Sequence, residues 1–278
     1  CLNVAGLNAR RKRQVLSEYF SYLKWDYMCI QETHLSYSER NLLGELGARG
    51  IVSSLQSGKT KGVAVLSRLG FGGAGNKPRY KADAAGRWAL LSIGTDQTRF
   101  SLCSFYGSVL DDPGPVDKLS SELHLWPVPL VVCGDFNSRP VPRNLPNDGS
   151  HRKPRVRAAM QRLCEEHGLV DLWDFKNPLV PGYTYYSAPH NRYTRIDYFF
   201  ISHCLLSTTR VELLPKAFSD HNPLIMELDF GALTSASRVW TFERALLKDN
   251  SFVSSIRQFV TEFLLFNLGS ADPGIVWD

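Results

Sequence analysis

One stretch constrains the fold most: Leu130-Val131-Val132-Cys133-Gly134-Asp135-Phe136-Asn137. Four apolar residues follow Pro127 and Pro129 and stop at Gly134, which is the pattern of a buried strand ending at a turn. Asp135 and Asn137 then stand just beyond the strand. In open α/β sheets, chemistry collects at such strand ends. The plainer alternative is an ordinary turn, where Asp and Asn are common.

The pattern recurs along the chain. Residues 1–4 read as a strand carrying Asn3, and residues 11–23 as a helix with Val15, Leu16, Tyr19, Phe20 and Leu23 on one stripe. Residues 27–30 form the next strand and run into Gln31-Glu32-Thr33-His34, with a short helix at 42–46 stopped by Gly47. Strands are expected at 62–66, 88–93 and 100–106, the last closing on Tyr106. Gly70, Gly72, Gly73 and Gly75 predict a flexible loop in the first gap. A helix at 116–125 precedes the Leu130 strand, a polar loop covers 144–154, and a helix covers 155–167 with Gly168 as its stop. Residues 183–186 and 195–201 suggest a hairpin, and strands at 211–214 and 224–228 finish the sheet. Mixed strands and helices point to an α/β fold of two sheets with helices outside.

A chain of 278 residues, 44% hydrophobic and 21% charged, suits one large domain with an appendage. No run of about 18 apolar residues occurs, which excludes a membrane span. The start at Cys1, without Met or a signal core, suggests a fragment rather than a secreted protein. Cys1, Cys29, Cys103, Cys133, Cys164 and Cys204 are scattered without zinc spacing, as expected of reduced, buried cysteines in an intracellular protein. Net charge is +5, and two basic clusters (Arg10 to Arg13; Arg152, Lys153, Arg155 and Arg157) could neutralise phosphates or simply be solvated. After Phe230 a polar linker leads to a helix that Asn250 or Ser251 can cap, with Phe252, Ile256, Phe259, Val260, Phe263 and Leu264 apolar. The division is therefore a domain at 1–230 and a linker with helix at 231–278, that helix docking on a following domain.

Acidic, amide, phenolic and imidazole groups thus gather at strand ends: Asn3, Glu32, Tyr106, Asp135, Asn137, Asp197, Asp220 and His221. A phosphodiester is anionic and repels a nucleophile, so its hydrolysis calls for a cation on the phosphoryl oxygens. Glu32 is the first candidate metal ligand, with Asn3 and Asp220 supporting. Oxygen ligands without thiolates favour Mg2+, with Mn2+ as the alternative. Asp135 would deprotonate the attacking water, and Asn137 would position water or phosphate. His221 would donate to a phosphoryl oxygen, with Asp197 holding its ring and favouring the charged form. Tyr106 would contact the phosphate or the leaving oxygen. Each has a plainer reading: Asn3 as a turn cap, Tyr106 as a core aromatic, Glu32 as a surface charge, Asp197 as the partner of an Arg, Asp220 and His221 as turn residues before Pro223.

Leu2-Asn3-Val4-Ala5-Gly6-Leu7-Asn8, Gln31-Glu32-Thr33-His34, Gly134-Asp135-Phe136-Asn137, Arg195-Ile196-Asp197 and Ser219-Asp220-His221, in this order, resemble the endonuclease/exonuclease/phosphatase superfamily. Gln31 to His34, with Tyr183-Thr184 through Ser187-Ala188-Pro189-His190, resembles the apurinic-type endonuclease domain of LINE-type non-LTR retrotransposons. The tail with Trp240 resembles the segment joining that domain to a reverse transcriptase. The resemblance implies a four-layer α/β/β/α sandwich with two mixed sheets. It also implies magnesium-dependent nicking of double-stranded DNA, the 3′-hydroxyl priming reverse transcription of the element's RNA. The RNA would be held by domains this sequence does not contain, and the protein would be nuclear when it acts. Thr184 and Ser219 would belong to the phosphate site. The hairpin tip at 189–192, with His190, Asn191 and Arg192, would enter the minor groove. Ala5 stands where repair-type relatives carry a metal-binding Asp, and Gly107 where relatives often have Ala-Pro. A phosphatase of the same superfamily, acting on inositol phosphates or lipid headgroups, and a catalytically silent DNA-binding module are the rival readings.

Overall fold

The computed structural model describes residues 1–71, 78–94, 98–139, 153–188, 191–216, 218–229 and 249–267. Gly72, Gly73, Gly75, most of the polar loop at 144–154, Pro189, His190, the linker and Trp240 lie outside the described residues. Two compact units are distinguished, Cys1–Thr234 and Ser235–Asp278.

The first unit is built on two sheets. One has four strands in the order β1-β2-β4-β3: β1 (Leu2–Asn3), β2 (Tyr27–Gln31), β3 (Gly50–Ser54) and β4 (Val63–Ser67). The other has six strands in the order β5-β6-β7-β8-β12-β9: β5 (Tyr80–Ala82), β6 (Trp88–Ile93), β7 (Phe100–Tyr106), β8 (Leu130–Asp135), β12 (Asp197–Ser202) and β9 (Leu169–Asp171). Both are mixed, since β1 runs parallel to β2 and β7 parallel to β8 while their other neighbours are antiparallel.

Strand alternation explains the layers. Cys29, Val63 and Val65 of the smaller sheet meet Leu91, Leu102, Val131, Cys133, Phe199 and Ile201 of the larger in one buried core. Residues one step out of phase face helices. Leu90, Phe105, Val132 and Phe200 pack on α2 (Gly114–Leu123) and α3 (Pro154–His167). Leu2, Ile30 and Leu66 pack on α1 (Arg10–Tyr22) and on a 3₁₀ segment, Tyr37–Leu46. The result is the α/β/β/α sandwich. Each fully buried aliphatic side chain in these cores contributes about 1.5–3 kcal/mol.

Local chemistry sets the boundaries. Ser36 and Glu39 form a capping box on the 3₁₀ segment, and Gly47 ends it in the left-handed region. Pro154 opens α3 and Gly168 closes it. Several expectations need correction. β3, β5, β9 and the short helix α4 (Leu172–Lys176) are additional elements. The hairpin pairs β10 (Tyr185–Ser187) with β11 (Arg192–Thr194), not with residues 195–201. The chain leaves that ladder because Ile196 and Asp197 give their N–H groups to Thr184 Oγ1, and Arg195 turns to Asp171. β12 is then free to pair with β8 and β9. β13 (Thr209–Leu213) and β14 (Leu224–Leu228) form a two-stranded sheet of their own. Of the cysteines, Cys29, Cys103 and Cys133 are buried but Cys204 is exposed; all six are free thiols.

In the second unit, α5 (Asn250–Asn267) is capped by Asp249 rather than Asn250 or Ser251, its Oδ1 accepting from the N–H of Ser251 and Phe252. Ile256, Phe259 and Val260 are exposed. Among the described residues no helix is long and apolar enough to cross a membrane.

Candidate active site

Three site residues form a row across adjacent strands. Tyr106 on β7 is in register with Asp135 on β8, and Asp135 with Asp197 on β12. Asp135 lies two residues after Cys133 and Asp197 two before Phe199, so both share the inward phase of the inter-sheet core. From the opposite sheet, Asn3 is one step from outward-facing Leu2 and therefore points inward as well.

Glu32 comes in differently. Gln31 already faces inward, where its Nε2 donates to Ser104 Oγ at 2.9 Å. Glu32 would face outward if the strand continued. Instead its φ of 51° is left-handed and returns the carboxylate to the same mouth. Ala5, His34 and Asn137 also have positive φ, at 45°, 54° and 53°. Each such residue costs of order 1–3 kcal/mol; Lys59 and Asn191, on other segments, share the conformation. Gly107 suits its position: a Cβ there would strike the Phe136 carbonyl, and its N–H donates to Asp135 O at 2.7 Å.

Asn3 is a crossbar. Its Nδ2 donates to Glu32 Oε1 and to Asp135 Oδ2, both at 2.9 Å, while Oδ1 accepts from the Ala5 N–H at 2.9 Å. The other Asp135 oxygen accepts the Asn137 N–H at 2.7 Å. His221 Nδ1 lies 2.8 Å from Asp197 Oδ2, and its Nε2 lies 3.9 Å from Asp135 Oδ2. Asp135, Asp197 and His221 are only 1%, 3% and 5% exposed. Asp197 Oδ1 is buried without a hydrogen-bond partner among the described residues.

Burial, followed by the neighbouring Asp197 charge, raises the Asp135 carboxyl to about 7. Burial works against the imidazolium of His221, but the Asp197 charge and hydrogen bond, with Asp135 behind them, outweigh it and raise the ring to about 10. Burial, then the Glu32 carboxylate, pushes the Tyr106 hydroxyl well up, so it stays a neutral donor. Asp135, Asp197 and His221 each offer an atom within 4.8 Å of the others, so this cluster could hold a metal ion.

The remaining expected residues are dispersed. Thr184 is fully buried; its hydroxyl anchors the backbone of Asp197, so it does not face a ligand. Ser219 Oγ donates to Asn3 O at 2.7 Å and accepts from the His221 N–H at 3.2 Å, tying the two sides of the mouth. Asp220 is exposed, beside Lys12 and outside the Asp–Asp–His cluster. Asn191 and Arg192 are exposed on the β10–β11 hairpin, with Asn191 accepting from Tyr186 Oη at 3.0 Å; His190 lies outside the described residues.

The basic clusters also divide. Arg13 is buried against Glu45 and the Leu7 and Asn8 carbonyls, and Lys153 holds the Asn137 and Ser108 carbonyls. Both brace the framework, which is neither the phosphate contact nor the solvated surface that the sequence left open. Asp197 pairs with His221, while Arg195 takes Asp171. Residues without a local signal complete the mouth: Arg87, 5.1 Å above the Tyr106 ring, and Tyr185, 4.8 Å from the His221 ring. His34, which follows Gln31-Glu32-Thr33, puts Nε2 3.3 Å from Glu32 Oε2.

A four-layer sandwich with a strained mouth of carboxylates and one imidazolium defines a class of hydrolytic scaffold. A sequence profile of the Endonuclease/Exonuclease/phosphatase family matches residues 1–221, and the chain belongs to that family. A 133-residue stretch is 30% identical to the transposon TX1 uncharacterized 149 kDa protein of Xenopus laevis; it covers 46% of this chain and 10% of that relative's length. Among solved structures, the fold is similar to an AP endonuclease from Leishmania major (TM-score 0.64, 20% identity, covering 82% of this chain and 86% of that one). An AP endonuclease from Archaeoglobus fulgidus gives TM-score 0.64 at 20% identity, covering 82% and 97%. A 3′-5′ exonuclease from Neisseria meningitidis gives 0.63 at 21%, again covering 82% and 97%. At these identities the likeness shows the fold.

Proposed function

We propose that this chain is a magnesium-dependent endonuclease that nicks double-stranded DNA and leaves a 3′-hydroxyl to prime reverse transcription of a retroelement. The observation that carries the reading is the row Tyr106–Asp135–Asp197, closed by His221 and faced by Glu32. The transposon relative supports a setting in a mobile element, and the protein would act in the nucleus.

A divalent cation fits the oxygen donors here. Glu32 keeps a carboxylate at the mouth with 23% of its side chain exposed, and no thiolate belongs to the cluster. Glu32 would hold the ion, assisted by nearby oxygens, and the ion would offset charge on the phosphoryl oxygens. Asn3 spends its amide on Glu32 and Asp135, so it acts chiefly by spacing those two charges. The Asp135–Asp197–His221 cluster serves proton transfer, because His221 Nδ1 is committed to Asp197.

Asp135, raised to about 7, is suited to take a proton from water at neutral pH. Asn137 fixes Asp135 through its backbone N–H, and its side-chain amide, whose Nδ2 lies 3.5 Å from the Gly107 carbonyl, would position water or phosphate. His221, raised to about 10, is an imidazolium whose Nε2–H would donate to a phosphoryl oxygen. Tyr106 would contact the leaving side as a neutral donor. The hairpin bearing Asn191 and Arg192, together with the preceding His190 of the sequence, would set target choice in the minor groove, and Arg11 and Lys12 would attract the backbone. Ser219 would order the mouth around phosphate.

The test is relaxation of supercoiled plasmid with Mg2+, abolished by a chelator and by Glu32→Ala. Hydrolysis of inositol phosphates without plasmid nicking would replace the proposal with the phosphatase reading. Tight DNA binding without nicking would replace it with a silent binding module.

A further inference from the structure

A second cluster of metal-ligand types lies on the outer helical layer. His124 follows α2 as its C-cap, and Glu166 and His167 end α3. The three each offer a ligand atom within 4.8 Å of one another, and the His124 and His167 ring centroids are 4.5 Å apart. α3 has 14 residues, so its ends lie about 20 Å apart. Lys153 at its start touches the Asn137 carbonyl of the mouth, and the cluster is at the other end.

Three features prepare this cluster for a cation. Two helix C-termini meet here, and each presents partial negative charge. His167 Nε2 lies 3.0 Å from the Ser120 carbonyl and 2.9 Å from Ser120 Oγ, while that hydroxyl donates to Glu166 Oε2 at 2.6 Å. The hydroxyl proton is thus spent on Glu166, so Nε2 must be the donor to Ser120. Nδ1 keeps the ring's lone pair. A backbone carbonyl that fixes the tautomer of a histidine, and a hydroxyl that orients a carboxylate, are what metal-bound ligands need from their surroundings.

We infer that His124, Glu166 and His167 form a binding site for a zinc-class divalent ion that clamps the end of α2 to the end of α3. Two imidazoles and a carboxylate suit zinc, with water in the fourth position. Zinc–nitrogen bonds of about 2.0–2.1 Å place tetrahedral ligands about 3.3 Å apart. The exposed His124 side chain closes the difference by rotamer change, while Ser120 keeps Glu166 in place. The site does not depend on the nuclease reading, since none of its residues touches the mouth.

Zn2+ alone, titrated by calorimetry into the full chain, tests it. His124→Gln with His167→Gln is expected to remove one bound equivalent, together with the imidazole-ligation absorption of the Co2+-substituted protein. Plasmid nicking should be unchanged. Ser120→Ala keeps the ligands and is expected to weaken binding about 10–100-fold at the same stoichiometry. Carrying the pair of substitutions on a Glu32→Ala, His221→Ala background separates this equivalent from any ion at the mouth. Identical Zn2+ stoichiometry and affinity with and without the double substitution, in the natural chain and on that background, would overturn the site.

Discussion

Asp171 and Asp135 are both largely removed from water in the six-stranded sheet, yet their neighbours are opposite. Asp171 meets the Arg195 guanidinium at 2.8 and 2.7 Å through its two oxygens, and it also caps α4 through the Asp174 N–H. Asp135 meets another carboxylate, Asp197, across the ladder. Burial raises both carboxyls. Arg195 opposes the rise at Asp171, whereas Asp197 adds to it at Asp135, which reaches about 7. The first arrangement spends its polarity on the fold. The second withholds it, leaving Asp197 Oδ1 without a partner among the described residues and His221 charged. Buried polarity is thus sorted into framework and chemistry by what it is bonded to, not by how deep it lies.

The largest expected effect falls on the chemical side. His221→Ala should lower the nicking rate per folded molecule by about a thousandfold or more, some 4 kcal/mol of transition-state stabilisation, with a lower melting temperature because Asp197 and Asp135 lose their buried cation. Rate comparison on plasmid substrate and thermal melting of the same samples check both halves. A His221→Ala protein that melts far lower and nicks normally would reverse the assignment.

The framework side gives the complementary result. Asp171→Ala leaves Arg195 buried and unpaired, which costs about 3–5 kcal/mol of stability. Urea unfolding should show that loss, while the folded fraction at low temperature keeps its nicking rate. A lost rate at full stability would move Asp171 into the active site.

Between these lies Asp197→Asn. With Asp135 at about 7 and His221 at about 10, nicking should rise with pH as Asp135 loses its proton and fall again as His221 loses its own. Removing the Asp197 charge takes away a like charge from Asp135 and the chief partner of His221. Both limbs of the profile should therefore move to lower pH, with the peak rate down about a hundredfold, or some 2.7 kcal/mol. Unmoved limbs would show that other groups control the profile.

Much of this contrast was legible in residue order. Runs such as Phe100–Tyr106 and Leu130–Asp135 announce themselves because both faces are buried, and the site residues stand where those runs stop. β3 carries Gly50, Ser53 and Ser54, and β9 has three residues. Neither contains enough apolar period to register locally. The Arg195–Asp171 pair spans 24 positions, and no local pattern says which aspartate an arginine will choose. Glu32 was legible as a residue but not as a geometry, because its inward turn rests on a left-handed φ that the strand period contradicts.

Thr184 shows the same limit and carries the smallest prediction. The dipeptide Tyr183-Thr184 drew attention by resemblance, and a phosphate contact was expected of its hydroxyl. In the structure that hydroxyl braces the backbone instead. It accepts from the N–H of Ile196 and of Asp197, both at 3.1 Å, at the point where the chain abandons β11 for β12. Thr184→Val keeps the volume and strands those two buried donors, at about 1–3 kcal/mol. The loss should appear first as lower stability and only then as a modest fall in nicking, because Asp197 is positioned less firmly rather than removed. Thr184→Ser restores the acceptor and should recover most of both. A Thr184→Val protein of parental stability whose Michaelis constant for DNA has risen sharply would put the hydroxyl back on the phosphate, and the residue would belong with Asp135 instead of Asp171.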